Sequence, residues 1–171
     1  NSDNLVVENN VLNANVPSVD VDYSAYLIVG YYSQGVHIEN SNNVSFDKND
    51  ITVNYTTAAG YADTIYAVNF ENSNNSRVTD NGIVLNGHSY AYGLVTNNCE
   101  NITISGNDIK SNSDDHYALG LQVGGKSTVS ADNNNISAKS NEVVYPVYLD
   151  DWGMGGEVNL TNNNIKGESD T

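Results

Sequence analysis

Apolar residues in this chain recur on two scales. Within short runs they alternate with polar residues, as in Ile102-Thr-Ile104, and the runs themselves return at regular intervals. Five stretches, 35–53, 67–85, 93–111, 120–138 and 146–167, can be superimposed. Each reads as a small residue, Val or Leu, any residue, usually an apolar residue, a polar turn, an alternating run, and then Asn-x-Ile. The closing isoleucines are Ile51, Ile83, Ile109, Ile136 and Ile165, at steps of 32, 26, 27 and 29 residues. A period in this range marks stacked repeats, in which one unit cannot bury its own apolar face. Alternation at period two predicts strands, three short ones per repeat, each pairing with its copies about 4.8 Å above and below. The expectation is an all-β chain, a parallel β-helix of five to six coils with three short strands per coil.

The interior can be followed down the chain. First strands supply Val36, Val68, Leu94, Leu121 and Val147; second strands supply Phe46, Val78, Ile104, Ala131 and Leu160; the isoleucines line the third. Burying each large aliphatic contributes about 1.5–3 kcal/mol. The turn before each closing isoleucine carries Asn49, Asn81, Asn107, Asn134 or Asn163. Asn tolerates left-handed backbone and its amide can bond to the next Asn in a stack, so these five are expected to take the bend and form a structural ladder. Segments 54–66, 86–92, 112–119 and 139–145 read as variable loops. Residues 1–171 read as a single domain: a partial first coil over 1–13, a long apolar excursion over 14–34, and the repeats over 35–167. The last repeat carries an insertion in its first turn, at Asp150-Asp-Trp-Gly-Met-Gly-Gly.

Charge narrows the partners. Six Lys and Arg face twenty-one Asp and Glu, for a net charge of -15 and a pI near 4.1. Such a field repels phosphate backbones and anionic lipid, so nucleic acid is not an expected partner. Polyanionic glycans are disfavoured too, unless a divalent cation bridges them. No apolar stretch is long enough to span a bilayer and no signal peptide is evident, so no direct membrane insertion is expected of this segment. Cys99 stands alone, which excludes an intrachain disulfide. The chain opens at Asn1 and enters a repeat almost at once, which suggests a piece of a longer surface protein with neighbouring domains.

The phrase Asn101-Ile-Thr-Ile-Ser-Gly-Asn-Asp-Ile109, with polar loops leading into Tyr92-Gly-Leu and Tyr117-Ala-Leu, resembles the right-handed parallel β-helix repeats of the pectate-lyase-like superfamily. With thirty asparagines, marked acidity and the run Tyr90-Ala-Tyr-Gly-Leu94, the chain is most similar to adhesin-like cell-surface proteins of methanogenic archaea. The repeats that carry the resemblance cover about residues 35–167. It implies the right-handed fold and an extracellular, cell-surface location. It leaves the activity open, because this superfamily hosts lyases, hydrolases, tailspikes and adhesins.

Enzymes of that superfamily work on the first-strand face. Its outward positions here are His37, Asn69, Val95, Gln122 and Tyr148 in one column and Glu39, Glu71, Asn97, Gly124 and Asp150 in the next. Glu39 and Glu71, one coil apart, are near enough to share a proton or a cation. A lyase of this fold would want a Lys or Arg base above calcium, and no Lys falls on this face, while Arg77, the single arginine, falls in a second strand. A hydrolase would want several carboxylates and a His, which His37, Glu39 and Glu71 match in part. A solvated polar face is the plainer reading, and no residue is assigned a catalytic role. His88 and His116 lie in variable loops and read as surface.

Aromatic residues offer more. Twelve tyrosines accompany two phenylalanines. Tyr66, Tyr92 and Tyr145 share a register with Leu119, which points that column towards the core or the loop edge. Tyr61, Tyr90 and Tyr117 read as loop residues free to be exposed. Tyr148, Asp150, Asp151 and Trp152 lie together on the last first strand and its insertion, where rings beside carboxylates suit a sugar. The candidate ligand-binding set is therefore Tyr148, Asp150, Asp151 and Trp152, with Gln122, Tyr90 and Tyr117. Asp114-Asp115-His116 and Asp150-Asp151 gather oxygens of the kind calcium takes, without matching a calcium loop, so no metal or cofactor is assigned and calcium is the one candidate. Sequons at Asn43, Asn54, Asn74, Asn101, Asn135 and Asn159 are compatible with glycosylation, but an Asn-rich chain yields nearly as many by chance. The expected function is an extracellular adhesin-type binding or display module for a glycan or another cell's surface. A passive stalk and a polysaccharide-active lyase or hydrolase are the alternatives.

Overall fold

A computed structural model of the chain describes residues 2–16, 32–55, 64–150 and 155–169. All regular structure among them is β, and no helix there is long and apolar enough to cross a membrane. A partial coil, β1 (Val6–Glu8) and β2 (Val11–Val16), comes first. Five coils of three strands follow. They are β3 (Tyr32–Glu39), β4 (Ser45–Asp47) and β5 (Asp50–Tyr55); β6 (Thr64–Glu71), β7 (Arg77–Thr79) and β8 (Gly82–Gly87); and β9 (Tyr90–Asn97), β10 (Ile102–Ser105) and β11 (Asp108–Ser113). The last two are β12 (Tyr117–Gly124), β13 (Thr128–Asp132) and β14 (Asn135–Ser140), then β15 (Val143–Asp150), β16 (Glu157–Thr161) and β17 (Asn164–Ser169). Equivalent strands pair in parallel, giving sheets ordered β3-β6-β9-β12-β15, β1-β4-β7-β10-β13-β16 and β2-β5-β8-β11-β14-β17. The chain is a parallel β-helix.

The aliphatic columns lie in register. Val36, Val68, Leu94, Leu121 and Val147 pair along the first sheet, and Phe46, Val78, Ile104, Ala131 and Leu160 along the second. Ile51, Ile83, Ile109 and Ile136 are at most 2% exposed, whereas Leu160 and Ile165 in the last coil are 38% and 45% exposed. The edge-on pair Phe46–Phe70, centroids 6.0 Å apart, fills the interior of the second and third coils.

The strands are longer than their apolar content suggests. First strands run eight residues and third strands six, so most of 86–92, 112–119 and 139–145 is strand. Backbone ladders continue through polar and aromatic positions because the pairing uses main-chain groups alone. Each first strand also bends. At the small-residue column the alternation slips, so that Gly93 and Leu94 are both buried between half-buried Tyr92 and outward Val95. A Cβ on Gly93 would lie 2.6 Å from the Gly120 carbonyl oxygen and 2.9 Å from Ile109 Cγ2, so close packing against the third strand requires glycine there.

Stacked polar side chains bind the turns. Asn49, Asn81 and Asn107 each donate from backbone and side-chain nitrogen to the Oδ1 of the next ladder Asn, at 2.8–3.0 Å, and Asn134 does the same to Asn163 at 2.9 Å. Asn10 begins this ladder one coil earlier. The bend itself is taken elsewhere than expected. Left-handed backbone falls on the preceding residue, at Asn9, Lys48, Asp80, Gly106, Asn133 and Asn162, which leaves each ladder amide free to point along the stack.

A second ladder was not anticipated. Between the first and second sheets, the backbone N–H of Ser41 donates to Ser73 Oγ, that of Ser73 to Cys99 Sγ and that of Cys99 to Ser127 Oγ, at 3.1, 3.4 and 3.1 Å. Cys99 thus occupies a serine rung, and burial raises its thiol pKa. Cys99→Ser is expected to leave the melting temperature unchanged or raise it, since a hydroxyl is the stronger partner. A thiol reagent is expected to label the wild-type residue only after denaturation; fast labelling of native protein would refute this burial.

Candidate functional site

The outer face of the first sheet carries four columns, two on each side of the bend. Before it stand Thr64, Tyr90, Tyr117 and Val143, then Gln34, Tyr66, Tyr92, Leu119 and Tyr145. After it stand His37, Asn69, Val95, Gln122 and Tyr148, then Glu39, Glu71, Asn97, Gly124 and Asp150. The last three of these columns enclose a groove of about 440 Å³. Gln34 and Tyr66 line one flank, Asn69, Val95 and Gln122 the floor, and Glu71, Asn97, Asn98 and Asp150 the other flank, with Gly124 and Gly125 leaving it open.

Side-chain chemistry here is polar and largely unpaired with cations. His37 Nε2 lies 3.5 Å from Glu71 Oε2, both about one-third exposed. Asn69 is 8% exposed and donates through Nδ2 to Gln34 Oε1 at 3.3 Å, while its Oδ1 has no donor among the described residues. Asn98 Oδ1 accepts the Lys126 backbone N–H at 3.2 Å. Gly125 takes a left-handed φ of +60°, and a Cβ there would lie 2.2 Å from Asn98 Oδ1 and 2.8 Å from Asn97 Oδ1. Two amide oxygens therefore converge over this glycine.

The sequence candidates divide. Gln122 and Asp150 line the groove. Tyr148, 37% exposed, follows Gln122 in its column, with its ring centroid 5.2 Å from that of Tyr145. Tyr90 and Tyr117 are first residues of β9 and β12 and half-buried, not exposed loop residues. Their rings stack at 5.1 Å and 17°, and Tyr117 continues to Tyr145 at 6.5 Å and 16°. Coil-to-coil pairing forces this stacking, and it covers the ring faces a sugar would have used. Asp151, Trp152 and Tyr61 lie outside the described residues.

The Tyr66, Tyr92 and Tyr145 column faces outward, and the inward neighbours are Ile65 and Ala91, both fully buried. The tyrosines are shielded by each other, Tyr66 and Tyr92 lying 5.0 Å apart, and burial pushes the Tyr92 phenol up to about 12. Asn98 and Gly125 are not among the sequence candidates, and Tyr66 lines the groove where the sequence pointed its column towards the core or the loop edge. Asn98 and Gly125 directly follow Asn97 and Gly124, which belong to the column of Asp150, and that adjacency was the available signal.

Two further polar clusters lie outside the groove. His116 sits between Glu142, at 3.0 Å from Nδ1, and Asp115, at 3.6 Å from Nε2. This imidazole-centred group differs from the all-oxygen shell that calcium takes. On the second sheet a hollow of similar volume is lined by Arg77, Ser45 and Thr103. Arg77 is held there by Asp47, with Nη2 at 2.6 Å. Burial raises the Asp47 pKa, but hydrogen bonds from Ser45, Thr79 and Arg77 outweigh it and hold the carboxyl below the usual range.

No protein-family model, curated protein or solved structure matches this chain.

Proposed function

We propose that the chain is a β-helical recognition module of adhesin type, acting outside the cell and presenting the first-sheet groove to a glycan or to a glycan-bearing surface. The groove carries this reading. It is open, long in the direction of the helix axis, and lined by amides, carboxylates and a tyrosine edge, which are groups that read hydroxyls. The sequence resemblance and the Asn-rich, acidic composition support the extracellular placement. A stalk would have no use for a concavity of this size on one face.

The test is a glycan array probed with the folded protein, with calcium and again with a chelator. Selective binding is expected, weakened about tenfold by Gln122→Ala and less by Tyr148→Ala. Folded protein that binds no glycan would leave the passive stalk. The pair His37–Glu71 keeps a hydrolase as the second reading. Release of reducing ends from a bound glycan, abolished by Glu71→Gln, would establish it in place of simple binding.

A further inference from the structure

We infer that the groove selects glycans bearing free amino groups and rejects uronates. This inference rests on the recognition-module reading above and specifies its ligand.

The flanks hold acceptors and negative charge. Glu71 and Asp150 belong to one outward column, three coil steps apart, which is about 14 Å at ordinary strand spacing. Between them lie Asn97, whose Oδ1 converges with that of Asn98 over Gly125, and Gly124, which contributes no side chain. On the floor, Asn69 is more than nine-tenths buried and its Oδ1 finds no donor among the described residues. A buried acceptor of this kind is costly unless a partner arrives from outside the chain.

No lysine or arginine lines the groove among the described residues. Lys126, next to Gly125 in the chain, turns its ammonium towards Glu100 at 3.7 Å. Among the described residues, His37 is the basic group paired with Glu71. An ammonium group carries three donors and no acceptor, which complements these walls. A uronate would bring a carboxylate between Glu71 and Asp150 with no counter-charge, in a protein of net charge -15. The distance between the two carboxylates calls for a short oligosaccharide lying along the helix axis, with an amino group towards each end.

Calorimetry with a glucosamine tetrasaccharide, its fully N-acetylated counterpart and a galacturonate tetrasaccharide, all in chelator, tests this on the whole chain. The expected order is glucosamine first, the acetylated form roughly tenfold or more weaker, and galacturonate unbound. Glu71→Gln and Asp150→Asn should each weaken glucosamine binding by about tenfold and flatten its salt dependence. Gly124→Gln leaves the charge unchanged and projects a side chain into the groove. Its Cβ would meet nothing nearer than 3.4 Å, so the fold should persist, as a thermal melt would verify, and binding should be lost.

Glucosamine binding that survives Gly124→Gln would be attraction of a polycation to an acidic surface, and it overturns the inference. Equal binding of the acetylated form, insensitive to Glu71→Gln, overturns the charge selectivity while leaving a glycan-binding groove. Galacturonate binding in chelator overturns it as well. Failure to bind any glycan, on the array or here, overturns the recognition reading itself.

Discussion

Ile104→Asp is expected to destabilise the protein by about 4 kcal/mol or more, among the largest effects a single substitution produces. Ile104 is fully buried in β10, paired in register with Val78 on one side and Ala131 on the other. A carboxylate there would have aliphatic neighbours and no partner, and burying an unpaired charge is prohibitive. The chain would either protonate it at a cost or open the coils on both sides. Thr103, one residue earlier, is exposed, and Thr103→Lys is expected to change stability by no more than about 0.5 kcal/mol. Denaturant unfolding of the two variants beside wild type provides the check. If Ile104→Asp unfolds at the wild-type midpoint, the interior has been assigned to the wrong face.

Asn107→Leu is expected to cost about 3 kcal/mol or more, although leucine is apolar and the site is buried. Asn107 is 1% exposed and sits mid-ladder. Its Nδ2 donates to Asn134 Oδ1, to the Val78 carbonyl and to the Ser105 carbonyl, at 2.9, 2.8 and 3.1 Å. Its Oδ1 accepts from the backbone and side-chain nitrogens of Asn81, both at 2.9 Å. Leucine would strand these groups, and each unsatisfied buried group costs about 1–3 kcal/mol. An outer ladder gives the contrast. Asn112 donates to Asn86 Oδ1 at 2.8 Å in an exposed setting, where water replaces the partner, so Asn112→Ala should cost about 0.5 kcal/mol or less. Comparable losses for Asn107 and Asn112 variants would show that the inner ladder contributes no more than surface hydrogen bonds.

The contrast between these two ladders also explains what was legible in the chain. Asn49 through Asn163 stand out because every coil needs the same group at the same place. The residue that takes the left-handed bend does not stand out, since Lys48 and Asp80 fill it as well as Asn133 or Gly106. The conformation there is imposed by the stacked turns and not by local preference. Cys99 illustrates the same point. As a lone cysteine it suggested only the absence of a disulfide, whereas its place in the coil makes it a substitute for serine.

The groove was half visible. Gln122 and Asp150 came from the alternation of the first strands, but Tyr90 and Tyr117 were misplaced as exposed because the strands extend beyond their apolar residues. The bend at Gly35, Ala67, Gly93, Gly120 and Pro146 brings three columns around one hollow, and that bend depends on how closely the first and third strands pack. By itself the sequence determined the repeat, the three-strand coil and the inward columns. Stacking identical coils demands like residues at like positions, and the demand is written once per period. Only the tertiary structure decided the strand lengths, the left-handed positions, the stacking of the tyrosine rings and the depth of the groove. Those follow from main-chain pairing between coils, which constrains backbone geometry while leaving outward residue types free to vary.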